Sequence, residues 1–242
     1  MGRQTADTDM TIEYEAIAPP TRRETLAELR LPFDALRWTP AWFTLPRGRA
    51  AVSRSVILLP GFGGGPRSLM ALKRYLRRRG HAADDWGLGR NTGHVAELRA
   101  ALQGRVEARV RATGEPVTLV GWSLGGYIAR EFAREHPARV RRIVTLGSPV
   151  VGGPRYTATA RWYAEQGFDL DRMEHAVKQR YARPLTTPVV AIYSKRDGVV
   201  AWQACIDRWS PHVRHVEVDE SHLGMGFAPR VLRIVAEEVE RD

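Results

Sequence analysis

From Ser55 onward the chain alternates between two hydrophobic patterns. Short runs rich in apolar residues, at Val56–Leu59, His81–Trp86, Pro116–Val120, Val140–Leu146, Pro188–Tyr193 and Val213–Val218, have the length of strands, the second being the weakest. Between them, apolar positions recur every three or four residues. That spacing predicts helices over about Arg67–Arg78, His94–Arg111, Leu124–Glu135 and Pro229–Glu240. A run that is apolar at successive positions presents hydrophobic side chains on both faces, and a sheet buries both only when helices cover each side. The fold class that follows is α/β: a minimal, mostly parallel sheet of about six strands with flanking helices.

Two stretches depart from this rhythm. Residues 152–187, between the fourth and fifth runs, mix charge with Tyr156, Trp162, Tyr163, Phe168 and Tyr181 and predict two helices. An insertion of this size at one end of a parallel sheet predicts a small helical cap over a site, with a longer crossover packed on the sheet as the alternative. Residues 1–22 are polar, contain Pro19–Pro20 and predict a loose tail, although Thr11–Ile17 has the pattern of an extra strand. Leu26, Leu29, Phe33, Leu36 and Trp38 then predict one or two short helices. The expected organisation is an N-terminal tail and helical extension over 1–54, followed by one α/β domain over 55–242 that carries the cap.

Composition narrows the function classes. The chain has 242 residues, 43% hydrophobic and 26% charged, and is long enough to bury a core without a covalent staple. Cys205 is the one cysteine, which rules out an internal disulfide and a zinc site built on several thiolates, so no metal is expected. No apolar stretch approaches the ~18 residues of a membrane span. The first sixteen residues lack the apolar core of a secretory signal, and Ala6 stands where a myristoylation motif needs Ser or Thr. The expected location is therefore cytoplasmic. The net charge of +10 is compatible with nucleic acid, an anionic surface or an acidic substrate. Yet 34 of the 37 basic residues are arginines spread along the chain. The clusters of Arg74 with Arg77–Arg79, and of Arg139 with Arg141 and Arg142, sit beside apolar positions and read as solvated helix faces, so no nucleic-acid partner is predicted.

The strongest chemical signal is Gly121-Trp122-Ser123-Leu124-Gly125-Gly126, at the junction of a predicted strand and helix. A G-x-S-x-G in that context is a nucleophile elbow, a turn so sharp that its flanking positions must be glycine and its serine is lifted above the sheet edge. Three further loops follow predicted strands: Leu58–Gly65, with Gly61-Phe62-Gly63-Gly64-Gly65; Tyr193–Gly198, containing Asp197; and Val218–Gly224, containing His222. Asp197 lies 74 residues past Ser123 and His222 a further 25. The loop Trp86–Gly93 reads either as part of a site or as a glycine-rich turn that caps the next helix through Asn91 or Thr92.

The elbow, the glycine-rich loop and the order Ser, Asp, His resemble the α/β-hydrolase superfamily, and in particular its small lipases and esterases, over about residues 55–240. The resemblance implies Ser123 as nucleophile, His222 as general base and Asp197 as the acid that orients it. It also implies an oxyanion hole made by the backbone N–H groups of Phe62 and Leu124. Pro60-Gly61 stands where the family often has His-Gly, a difference that leaves main-chain donors in place. Asp219 and Glu220 compete with Asp197 for the acid's role but lie close to His222 along the chain. Trp122, Tyr156 and Trp162 are the expected substrate-binding side chains.

The implied function is hydrolysis of carboxylic esters with an apolar group through an acyl-enzyme, with no cofactor. An acyltransferase or thioesterase on the same three residues, and a non-catalytic ligand receptor with the hydrolase shell, are the alternatives.

Overall fold

The structure is a computed structural model and describes residues 17–241. The pattern at Thr11–Ile17 falls almost entirely outside them. Helix α1 (Arg22–Ala27) opens with a capping box, the Thr21 hydroxyl accepting from the Glu24 N–H while the Glu24 carboxylate accepts from the Thr21 N–H. A 3-10 turn then leads into α2 (Leu31–Arg37) and α3 (Thr39–Thr44). Three short helices stand where one or two were expected. Pro32 and Pro40 each enter a first helical turn, where a missing N–H is tolerated, and each thereby ends the helix before it.

The remaining elements alternate as the sequence pattern predicts. Strand β1 (Ser55–Leu59) leads to α4 (Met70–Arg78), β2 (Ala82–Asp85) to α5 (Val95–Thr113), and β3 (Val117–Trp122) to α6 (Leu124–Glu135). Strand β4 (Val140–Leu146) precedes the insertion, which holds α7 (Ala160–Glu165) and α8 (Leu170–Gln179). Then come β5 (Val189–Ser194), β6 (Val213–Val218) and α9 (Pro229–Glu240). The six strands are all parallel and ordered β2-β1-β3-β4-β5-β6. The weak strand β2 keeps its two acids because Asp85 pairs with Lys73 at 2.7 Å, while Asp84 pairs with Arg77 and Arg109.

Strand alternation splits the core into two layers. Val56, Leu58, Val120 and Trp122 face one side, packed with residues of α4 and α9 and with Trp38. Ile57, Leu59, Val117 and Leu119 face the other, under α5 and α6. The strand order reverses between β1 and β3, and in open parallel sheets the crevice beyond the carboxyl ends at such a reversal is where ligands bind. No helix among the described residues is long and apolar enough to cross a membrane.

Candidate active site

Ser123 occupies the turn from β3 to α6 with φ 53° and ψ −125°, and it is the one non-glycine residue with positive φ among those described. A side chain rarely accepts that backbone, so the strain is held by the surroundings. The Ser123 N–H donates to the Leu146 carbonyl at 2.8 Å. A Cβ at Gly121 would collide with the Gly125–Gly126 backbone, and one at Gly125 with the carbonyls of Leu59 and Pro60. The two glycines therefore let the turn press against β1. Helix α6 starts at Leu124, so its N-terminal amides favour negative charge beside Ser123.

Asp197 and His222 come together from the loops after β5 and β6. The His222 Nδ1 lies 2.7 Å from Asp197 Oδ2, and both side chains are buried. The other carboxylate oxygen, Oδ1, accepts from the N–H groups of Val199 (2.9 Å) and Val200 (2.7 Å), which fixes the carboxylate's orientation. Burial is the largest influence on His222 and pushes its pKa down. The charge and hydrogen bond of Asp197, with the charge of Glu28, outweigh it, and the pKa is raised. Asp219 instead pairs with Arg196 at 3.3 Å.

Glu28, in the turn between α1 and α2, is buried against these loops. Its Oε1 accepts from the N–H groups of Gly198 and His222, and its Oε2 from that of Leu223, all at 2.8 Å. One carboxylate thus ties the Asp197 loop to the His222 loop. Gly147, after β4, passes on the inner side of the same pair with φ 52°. A Cβ there would lie 2.7 Å from Asp197 Oδ2 and 2.9 Å from His222 Nδ1.

The loop after β1 lies across the elbow. Asn91 is fully buried and pins this loop: its Nδ2 donates to the Pro60 carbonyl at 2.8 Å, its carbonyl accepts from Gly63 N–H, and its N–H donates to Gly64. The Trp86–Gly93 stretch therefore supports the glycine-rich loop and does not cap α5 through Asn91. The amides of Phe62 and Leu124 have no hydrogen-bond acceptor among the described residues and both residues line the cavity above Ser123.

That cavity has a volume of about 530 Å³, with Ser123 and His222 in the same wall. Val177 and Met173 of α8, Tyr163 of α7 and Val199–Val200 contribute to its apolar lining. Arg180, held by Glu131, is the one lining residue with a permanent charge. Trp122 lines the cavity, its ring 5.8 Å from that of His222. Trp162 packs on Phe62 at 4.9 Å between ring centroids and stands behind the wall, 41% exposed. Tyr156 turns away, its hydroxyl donating to Glu174 Oε1 at 3.0 Å. The sequence reading passed over Glu28, which no local pattern marks because it acts on loops far away along the chain. Among the described residues no three His, Cys, Asp or Glu side chains are grouped to hold a metal.

A family model described as the alpha/beta hydrolase fold matches residues 54–164, which take in the glycine-rich loop, the elbow and the start of the insertion. The chain is 32% identical over 123 residues to a pimeloyl-acyl-carrier-protein methyl ester esterase of Edwardsiella ictaluri (strain 93-146). That match covers 50% of this chain and 43% of that enzyme. Among solved structures, a chain of LipS and LipT, two metagenome-derived lipolytic enzymes, superposes with a TM-score of 0.62 at 15% identity. It covers 82% of this chain and 99% of its own. Mouse alpha/beta hydrolase domain-containing protein 10 superposes with a TM-score of 0.54 at 21% identity, over 77% and 88% of the two chains.

Proposed function

We propose that this chain, which carries the α/β-hydrolase fold and resembles its esterases and lipases, hydrolyses carboxylic esters that have an apolar acyl or alcohol group. The observation that carries the reading is the 2.7 Å contact of Asp197 with His222 Nδ1 in the loops beside a strained serine on the same cavity. Ser123 Oγ attacks the ester carbonyl carbon as His222 Nε2 takes its proton. Asp197 holds the imidazole with Nδ1 protonated and steadies its charged form. The Phe62 and Leu124 amides receive the oxyanion. His222 then returns the proton to the departing alkoxide, and a water deprotonated by His222 releases the acid and restores Ser123. The chemistry uses no cofactor. The largely uncharged wall favours an apolar substrate group; the relative's acyl-carrier-bound methyl ester is one member of that class.

A fluorophosphonate probe with peptide mapping tests the reading, alongside p-nitrophenyl esters of increasing chain length. Labelling at Ser123 and a loss of up to ~10⁶ in turnover for Ser123→Ala are expected. Unlabelled protein, or full ester hydrolysis by Ser123→Ala, overturns it.

A further inference from the structure

The segment from α1 to α3 buries two acids together with Trp38 and leaves five large apolar side chains exposed. Glu28, Asp34 and Trp38 are buried, whereas Leu26, Leu29, Phe33, Leu36 and Phe43 are 64%, 72%, 76%, 75% and 69% exposed. These five are spread over α1, the 3-10 turn, α2 and α3, with Phe33 and Leu36 three residues apart on α2. Arg22, Arg23, Arg30, Arg37, Arg47 and Arg49 are exposed along the same segment, and Glu24 is the one exposed acid over residues 21–50. Beside it, a groove of about 580 Å³ between α3 and α4 is lined by Trp42, Tyr75, Arg47, Arg74 and Arg78. None of these three arginines has an ion-pair partner among the described residues.

Single exposed leucines are ordinary on a protein surface. Five large apolar side chains exposed within one short helical segment, among exposed cations and adjoining a groove whose three guanidinium groups have no ion-pair partner among the described residues, have the chemistry of a segment that lies in a lipid interface. We propose that α1 to α3, with the groove beside α4, form a docking surface for an anionic lipid membrane. The leucines and phenylalanines enter the boundary of the acyl chains, the flanking arginines draw in the surface, and Arg47, Arg74 and Arg78 receive a headgroup phosphate. Charge favours this occupant over a second copy, because two such faces would set their exposed arginines against one another. The surface is separate from ester hydrolysis, and its binding does not need Ser123.

Co-sedimentation of the full chain with vesicles of phosphatidylglycerol, and in parallel of phosphatidylcholine, tests the proposal. Binding to the anionic vesicles, weakened by salt and kept in Ser123→Ala, is the expected result. The triple variant Leu29→Ser, Phe33→Ser, Leu36→Ser lowers the partition by more than about tenfold, with its circular dichroism unchanged. Arg74→Glu and Arg78→Glu, which leave the apolar side chains intact, each lower it about fivefold or more. Absence of binding to anionic vesicles, or binding unaffected by these substitutions, overturns the proposal. So does a dimer in light scattering that the triple variant dissociates, which makes the face an interface between copies.

Discussion

Asp197 Oδ2 and His222 Nδ1 lie 2.7 Å apart with their side chains 0% and 5% exposed, so the carboxylate decides the protonation of the imidazole. Because the His222 pKa is raised above its ordinary 6.5, two opposite pH dependences follow. A general base must be neutral, so kcat/KM for an ester rises with pH through the folded-state pKa, above 6.5. The stability that the raised pKa contributes is fully present below the unfolded value of ~6.5 and is lost as pH rises through the folded one. In Asp197→Asn, the acid limb of the rate profile moves to lower pH and kcat falls by ~10⁴. Urea midpoints of parent and variant differ most on the acid side and converge on the alkaline side.

Glu28 is a positioning residue for this pair. Glu28→Gln removes a charge that raises the His222 pKa and places an N–H where an acceptor stood, so the acid limb shifts to lower pH. The loosened loops lower kcat by about ten- to a hundredfold, with KM little changed. Stability falls by about 1–3 kcal/mol through the unsatisfied amides. A lower melting temperature with an unmoved acid limb would reduce Glu28 to a structural tie.

Gly147→Ala tests the packing behind the pair. The positive φ costs about 1–2 kcal/mol for any residue with a Cβ. The new methyl group must also push Asp197 and His222 from positions 2.7 Å and 2.9 Å away. Turnover is expected to drop far more than that stability loss accounts for, measured by comparing kcat with the urea midpoint.

Phe62→Ala keeps the backbone N–H and removes the ring that meets Trp162 at 4.9 Å and Tyr163 at 5.7 Å. Two such ring pairs account for about 1–3 kcal/mol. KM for esters with long apolar groups should rise about tenfold or more, while kcat on acetate esters changes little. A p-nitrophenyl ester series reads both.

Much of the fold was legible because its signals are local. Helix α6 runs over Leu124–Glu135, as its periodicity predicts, and β4 over Val140–Leu146. The apolar spacing predicts helix from Arg67, but Arg67–Leu69 forms turns, with the Ser68 hydroxyl donating to Gly65 O, and α4 begins at Met70. The N-terminal segment defeats pattern reading, because Leu26, Leu29 and Phe33 mark a face to bury, yet Glu28 and Asp34 are the buried ones. Three amides from distant loops make the Glu28 position favourable, and no window of sequence contains them. Composition marked the cap as aromatic without saying which ring reaches the cavity: Tyr163 lines it, while Tyr156 turns to Glu174.

The hydrogen bond from His222 to Glu28 spans 194 residues. During synthesis, the turn bearing Glu28 leaves the ribosome long before the loop it will clasp exists, and until then Glu28 is an acid with no amides to receive. Contacts this remote in sequence carry a large loop-closure cost and slow folding. The elbow needs only its neighbours in β1 and β4, but the clasp over it needs both ends of the fold. The N-terminal segment thus acts as a latch on the Asp197 and His222 loops, and the proposed hydrolysis would need residues near both ends of the described fold in place at once.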